Sequence, residues 1–196
     1  MHARRQPQTP RTLVVAYHKP VGLTVTHHDE LGRETVYDRL IPQLPVKLRQ
    51  VQWHAVGRLD KDTSGLLLFT NDGALVHHAT HPGTALPKKY LVLAKGILEE
   101  RQLEQLRSGV ELSGGLGRSG GARVEVLKHQ AATTWLTLVI QEGKNREVRR
   151  MLLAVQSQVI RLQRVAIGGL ALDVEEDTFR LLTDEEVLTR LRFGHG

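Results

Sequence analysis

Residues 65 to 70 read Gly-Leu-Leu-Leu-Phe-Thr. A run this short and continuously apolar reads as a strand, and "NDG" directly after it closes a tight corner. Around it, "RTLVVAYHKP" reads as a β-branched strand stopped at Pro20, and "QVQWHAVGRLD" alternates. "KKYLVLAKG", "ARVEVLKH" and "TTWLTLVIQ" complete the set of strands.

Three stretches carry helical signals instead. "ETVYDRLIP" gives a short helix ended before Pro42. In "LEERQLEQLRSGV", Leu98, Leu103, Leu106 and Val110 form much of one apolar face, with Gly109 near the end. In "EGKNREVRRMLLAVQ", Val148, Met151, Leu152 and Val155 recur at helical spacing, Arg146, Arg149 and Arg150 share another face, and Asn145 is the expected N-cap. Strands and helices mix with no sustained βαβ alternation and no internal repeat, so the fold class is α+β rather than a doubly wound sheet.

The 196 residues suit one domain. Residues 1 to 11 hold three arginines, two prolines and almost no apolar side chains, which marks a flexible basic arm before a single domain over 12 to 196. Cysteine is absent, so disulfides and thiolate metal sites are excluded and a reducing cytoplasm fits. No apolar run nears the roughly 18 residues a membrane helix needs, and the start lacks the apolar stretch of a secretory signal. The expectation is a soluble, cytoplasmic, monomeric protein without a membrane partner.

The formal charge of +6 is uneven. Residues 1 to 172 carry 24 basic and 14 acidic side chains, a net +10, while 173 to 196 carry 3 and 7, a net −4. A field of that sign favours a polyanion such as RNA or DNA.

Two tempting signals fail on context. "GLGRSG", residues 115 to 120, satisfies the dinucleotide-binding spacing but follows a helix and runs toward a strand, the reverse of the order that fingerprint needs. His77, His78 and His81 resemble a metal cluster, but His77 and His81 pair at i, i+4 only if a helix persists to Pro82, and no acidic third ligand is suggested. Neither signal therefore calls for a metal or an organic cofactor.

Three segments share a chemical logic. "GRLDKDTSG" supplies Asp60 at a strand end, with Arg58 on the same face if the chain stays extended. "KKYLV" supplies Tyr90 behind Lys88 and Lys89, and "GKNREVRRM" supplies guanidinium groups on a helix. Read from residues alone, Asp60 remains open between a reactive carboxylate and a turn aspartate, and Tyr90 between a site residue and a core aromatic.

These segments, "GRLDKDTSGLLLFTNDG", "KKYLV" and "EGKNREVRRM", resemble the three motifs of the ribosomal RNA pseudouridine synthases of the RsuA type. The resemblance extends from about Leu13 to Leu191, through "HKPVGLTVTHHDELGRETVYD", "LQRVAIGGLAL" and "FRLLT". The short arm makes the chain look most like the branch typified by ribosomal large subunit pseudouridine synthase E, which lacks the extra N-terminal RNA-binding module of many relatives. Glu147 stands where glutamine is common.

The resemblance implies a mixed, mainly antiparallel sheet with flanking helices and a central RNA-binding cleft. It implies isomerisation of a uridine in ribosomal RNA, of the large subunit (23S), free or in an assembly intermediate. Asp60 takes the place of the essential carboxylate. Arg149 takes the place of its counter-ion, and Tyr90 lies over the target base. Arg58, Lys61, Lys88, Lys89, Lys144, Arg146 and Arg150 would contact RNA. Two other readings are a catalytically silent RNA-binding protein of the same fold and a glycoside-cleaving enzyme using Asp60 with Asp62.

Overall fold

The structure, a computed structural model, describes residues 10–194. The arm expected over residues 1 to 11 lies outside this range except for its last two residues, and Arg11 pairs with Asp184 at 3.0 Å.

Strand β1 (Val14–Lys19) opens the fold. Helix α1 (Val36–Leu40) follows, its N-terminus closed by a reciprocal box in which Thr35 accepts from the Asp38 amide at 3.2 Å and Asp38 accepts from that of Thr35 at 3.0 Å. It ends before Pro42, as the proline requires.

After β2 (His54–Ala55), the apolar run becomes β3 (Ser64–Thr70), buried along nearly its whole length. "NDG" is more than a corner. Asp72 accepts from the Ala74 amide at 2.9 Å and caps α2 (Gly73–Thr80), a helix that the turn reading missed. His81 lies just past its end, and the rings of His77 and His81 stack at 4.6 Å.

Then come β4 (Lys88–Lys95) and α3 (Glu100–Ser108), which ends at Gly109 with φ +96°. A Cβ at Gly109 would meet the Ser119 carbonyl oxygen at 2.5 Å, so the helix stop needs glycine for space as well as for its dihedral. The glycine-rich stretch forms a small hairpin of β5 (Glu111–Leu112) and β6 (Gly117–Arg118). β7 (Arg123–Gln130), β8 (Thr133–Ile140), α4 (Glu147–Ala154) and β9 (Val159–Ile167) follow. Strands β10 (Leu170–Ala171) and β11 (Phe179–Leu181) and helix α5 (Asp184–Arg190) complete the order.

Among the described residues one sheet runs β11-β1-β3-β9-β4-β8-β7, with β2 on β3 and β10 on β9. All its pairs are antiparallel except β3 with β9, which meet only at Ser64 with Gln163 and Gly65 with Arg164. The expected α+β class and mainly antiparallel mixed sheet are borne out. The parallel seam is tight: a Cβ on Gly65 would collide with the backbone of Arg164. It joins two half-sheets with different cover. On one face, Tyr17 and Phe69 pack with α1, while Val92 and Leu138 belong to the same core as residues of α3 and α4. On the other, Ala16, Leu66 and Leu68 pack with α2 and α5.

Candidate functional site

Residues 56–63 join β2 to β3, and Asp60 stands in a turn closed by the Thr63 amide on the Asp60 carbonyl at 3.0 Å. A turn's outward carbonyls need donors. Lys19, fully buried at the end of β1, supplies them: its ammonium donates to the carbonyl oxygens of Pro20 at 3.0 Å, Asp60 at 3.2 Å, Lys61 at 3.3 Å and Thr63 at 2.8 Å. Burial pulls the Lys19 pKa down to about 8 against the opposing pull of Asp62 and Asp60. Arg149 takes the remaining carbonyl, that of Asp62, at 3.0 Å, and reaches the Thr63 hydroxyl at 3.3 Å. The turn is therefore held through its backbone, leaving the Asp60 carboxylate to face the cleft.

That carboxylate pairs with Arg146 at 3.4 Å. Arg146 also forks onto Asp62, at 3.2 and 3.1 Å, and Arg149 reaches Asp62 at 3.4 Å. Arg149 makes no direct bond to the Asp60 carboxylate, although the charges of both aspartates still act on it. Arg146 is the direct ionic partner of Asp60, while Arg149 braces the turn. The cause is local: Arg146, not Asn145, is the N-cap of α4 and takes a left-handed conformation, φ 49°, so it leaves the helical face expected to align it with Arg149 and Arg150.

Arg150 departs further from expectation. It donates to the Ser113 carbonyl at 2.9 Å and the Asn145 carbonyl at 3.0 Å, pinning the β5–β6 hairpin to the start of α4. Lys144 lines the cleft but spends its amine on the same hairpin, on the carbonyls of Arg118 at 2.9 Å and Leu116 at 3.3 Å. The "GLGRSG" segment is accordingly a structural hairpin.

These residues enclose a cleft of about 440 Å³ lined by Arg58, Asp60, Lys88, Tyr90, Glu147 and Arg164 among others. All three motif segments thus converge. Tyr90 and Lys88 alternate along β4 on the cleft side, and Tyr90 is buried but for its cleft edge. Lys89, one residue away, is exposed on the opposite side of the sheet and belongs outside the cleft, because strand alternation turns it away. Lys61 is exposed beside the cleft and is absent from its lining. Asp62 has its pKa lowered, first by the Arg146 hydrogen bond, which disfavours it as the proton-donating half of a carboxylate pair.

Sequence reasoning missed Arg164 and Lys19. Arg164, 2% exposed in β9, donates to the Leu66 carbonyl at 2.8 Å and contacts that of Arg58 at 3.4 Å, bracing both ends of the Asp60 segment. Each is a fully buried cation in a strand that is otherwise mainly apolar on its buried face, and only that incongruity could have flagged it. Among the described residues, the buried side-chain polar atoms without a partner are Glu147 Oε2, Arg149 Nε and Arg164 Nη2. All three belong to cleft-lining residues.

Residues 13–154 match the family described as RNA pseudouridylate synthase. Ribosomal large subunit pseudouridine synthase B of Vibrio vulnificus (strain CMCP6) is 43% identical over 166 residues, covering 82% of this chain and 48% of that one. The protein of the same name in Yersinia pestis is 42% identical over 162 residues, covering 81% and 48%. The chain therefore spans about half the length of the curated relatives it matches. A crystal structure described as that of a pseudouridylate synthase superposes with a TM-score of 0.81 at 31% identity, covering 94% of this chain and 75% of that one.

Proposed function

This chain belongs to the RNA pseudouridylate synthase family, and on that footing we propose that it isomerises a uridine of large-subunit ribosomal RNA to pseudouridine with Asp60 as the essential carboxylate. The observation that carries this reading is the Asp60 carboxylate held at 3.4 Å from Arg146 in the cleft that also contains Tyr90. The cleft volume of about 440 Å³ falls within the roughly 300–1,000 Å³ of small-ligand sites, enough for an everted nucleotide. The names of the relatives support the large subunit as the substrate class. They are named synthase B, so nearness to the synthase E branch has no support from them.

The chemistry breaks the bond from uracil N1 to ribose C1′, turns the ring, and joins C5 to the same carbon, with the C5 proton leaving to water and N1 taking up a proton, so that the composition of the RNA is unchanged. The target must first leave its stack, at a cost of a few kcal/mol. Cations at the cleft, Arg58 and Lys88, can offset this by holding backbone phosphates. Asp60 then acts as a nucleophile or as a base on the sugar. Arg146 keeps its charge compensated in a partly dry site, and the Tyr90 ring offers a stacking surface for the base. The backbone clamp of Lys19, Arg149 and Arg164 fixes where the carboxylate stands.

The test is tritium release from C5-labelled, undermodified ribosomal RNA. The wild-type chain releases it, and Asp60→Asn does not while retaining near-native RNA affinity. Release by Asp60→Asn at the native rate sinks the assignment. Free uracil as product would point to glycosidic cleavage, and binding without release to a silent RNA-binding protein.

A further inference from the structure

The half-sheet β9-β4-β8-β7 has only one of its faces covered. The side bearing Val92, Leu136 and Leu138 packs into the main core with α3 and α4. The opposite side presents Leu91 and Leu93 of β4 and Trp135 and Val139 of β8, all partly exposed. None of these four joins either apolar core of the described residues. The register places them side by side, Leu93 opposite Trp135 and Leu91 opposite Thr137. Among the described residues Trp135 has no ring neighbour.

The charges on this face are one-sided. Arg161 lies opposite Leu93, Lys128 opposite Trp135, and Arg123 opposite Val139, which in turn faces Lys89. Lys95 ends β4 on the same side. Glu125, opposite Thr137, is the acidic residue among them. An apolar strip with one indole, framed by five cations and one carboxylate, fits unpaired bases that stack on the ring while their phosphates meet the rim.

We infer that this face is a second RNA-contacting platform, holding single-stranded nucleotides that flank the target uridine. The inference rests on the RNA-modifying reading above and adds to it a surface on the far side of the sheet. The path between the two sites is short: Lys88 lines the cleft, and Lys89, the next residue, stands at the edge of the platform in direct register with Val139 and so with Arg123. An RNA strand leaving the cleft past Lys88 rounds the strand ends there.

The experiment compares two RNAs carrying the uridine identified by mapping pseudouridine in cells with and without this protein. One is a short stem-loop confined to the target, the other a long fragment with its single-stranded flanks. The triple variant Arg123→Gln, Lys128→Gln, Arg161→Gln is expected to bind the long fragment roughly tenfold more weakly, with the slope of log affinity against log salt reduced by roughly 2. It should turn over the stem-loop with native kcat and KM, and show a raised KM but unchanged kcat on the long fragment. Trp135→Phe should keep long-fragment affinity and Trp135→Thr lose it. Native affinity and salt slope of the triple variant on the long fragment overturn the inference, as does self-association in sedimentation that the triple substitution abolishes without changing RNA affinity. Absence of turnover by the wild-type chain on either RNA would instead strike the functional reading itself.

Discussion

The ammonium nitrogen of Lys19 lies 3.2 Å from the main-chain oxygen of Asp60, reaching it from inside the protein while the Asp60 side chain faces the cleft. One buried cation serves four carbonyls of two segments that meet only in the fold. The position of the carboxylate is thereby tied to the end of β1, some forty residues away in sequence.

This tie gives a pH dependence with opposite signs in stability and activity. The folded pKa of Lys19 is about 8 against an ordinary 10.5, so between those values the unfolded chain binds the extra proton. Its contribution to stability therefore rises with pH across that window. Above pH 8 the neutral amine has two N–H donors for four carbonyls, and the turn loosens. Single-turnover tritium release should fall between pH 8 and 10 while the Lys19-dependent part of the thermal midpoint rises. Lys19→Met should abolish the upward stability trend relative to wild type. Parallel loss of rate and stability, unchanged in Lys19→Met, would remove Lys19 from the account.

The different contacts of the two arginines have separable consequences. Arg146 is 40% exposed on its side chain and holds carboxylates, so Arg146→Ala should cost less than about 1 kcal/mol of stability but slow turnover roughly 10- to 100-fold. Arg149 is 15% exposed and braces the turn backbone, so Arg149→Ala should cost both rate and about 2–3 kcal/mol. Urea unfolding alongside single-turnover rates distinguishes them. Equal stability losses in the two variants would mean that the division between counter-ion and brace is wrong.

The seam between the half-sheets depends on Gly65. Its φ of +117° is poorly accessible to other residues, and a Cβ there has only Arg164 backbone to push against. Gly65→Ala should lose about 3 kcal/mol or more. Because Arg164 also braces the Asp60 segment, surviving folded protein should turn over more slowly. A denaturation midpoint within error of wild type would show that the seam yields.

The contrast between what the chain announced and what it concealed follows from range. The apolar run at β3, the leucines of α3 and the Val148, Met151, Leu152 and Val155 pattern of α4 are local periodicities, and each became the expected element. Asp60, Tyr90 and Arg149 sit in motif segments, so their meeting in one cleft was legible too. Lys19 and Arg164 act on main-chain carbonyls of distant segments, and no spacing encodes such partners. Arg146 escaped because a single left-handed residue cancels a helical-face argument, and α2 because an Asp-Gly pair serves equally as hairpin turn or helix cap.

Glu147 supplies the last test. It is 3% exposed at the start of α4, where one carboxyl oxygen accepts the Lys144 amide at 3.2 Å, and burial followed by the neighbouring Glu142 pushes its pKa up to about 7. The folded value lies above the ordinary 4.5, so between pH 4.5 and 7 the folded chain holds the extra proton and this group's contribution to stability falls as pH rises. Glu147→Gln keeps the acceptor and cannot ionise. It should leave stability near pH 5 almost unchanged and raise it at pH 8 by roughly 1–3 kcal/mol, flattening the decline seen in the wild type. Lys144 and Lys88 lie near enough to favour the carboxylate, so a variant no more stable than wild type at pH 8 would mean that these cations already hold Glu147 ionised.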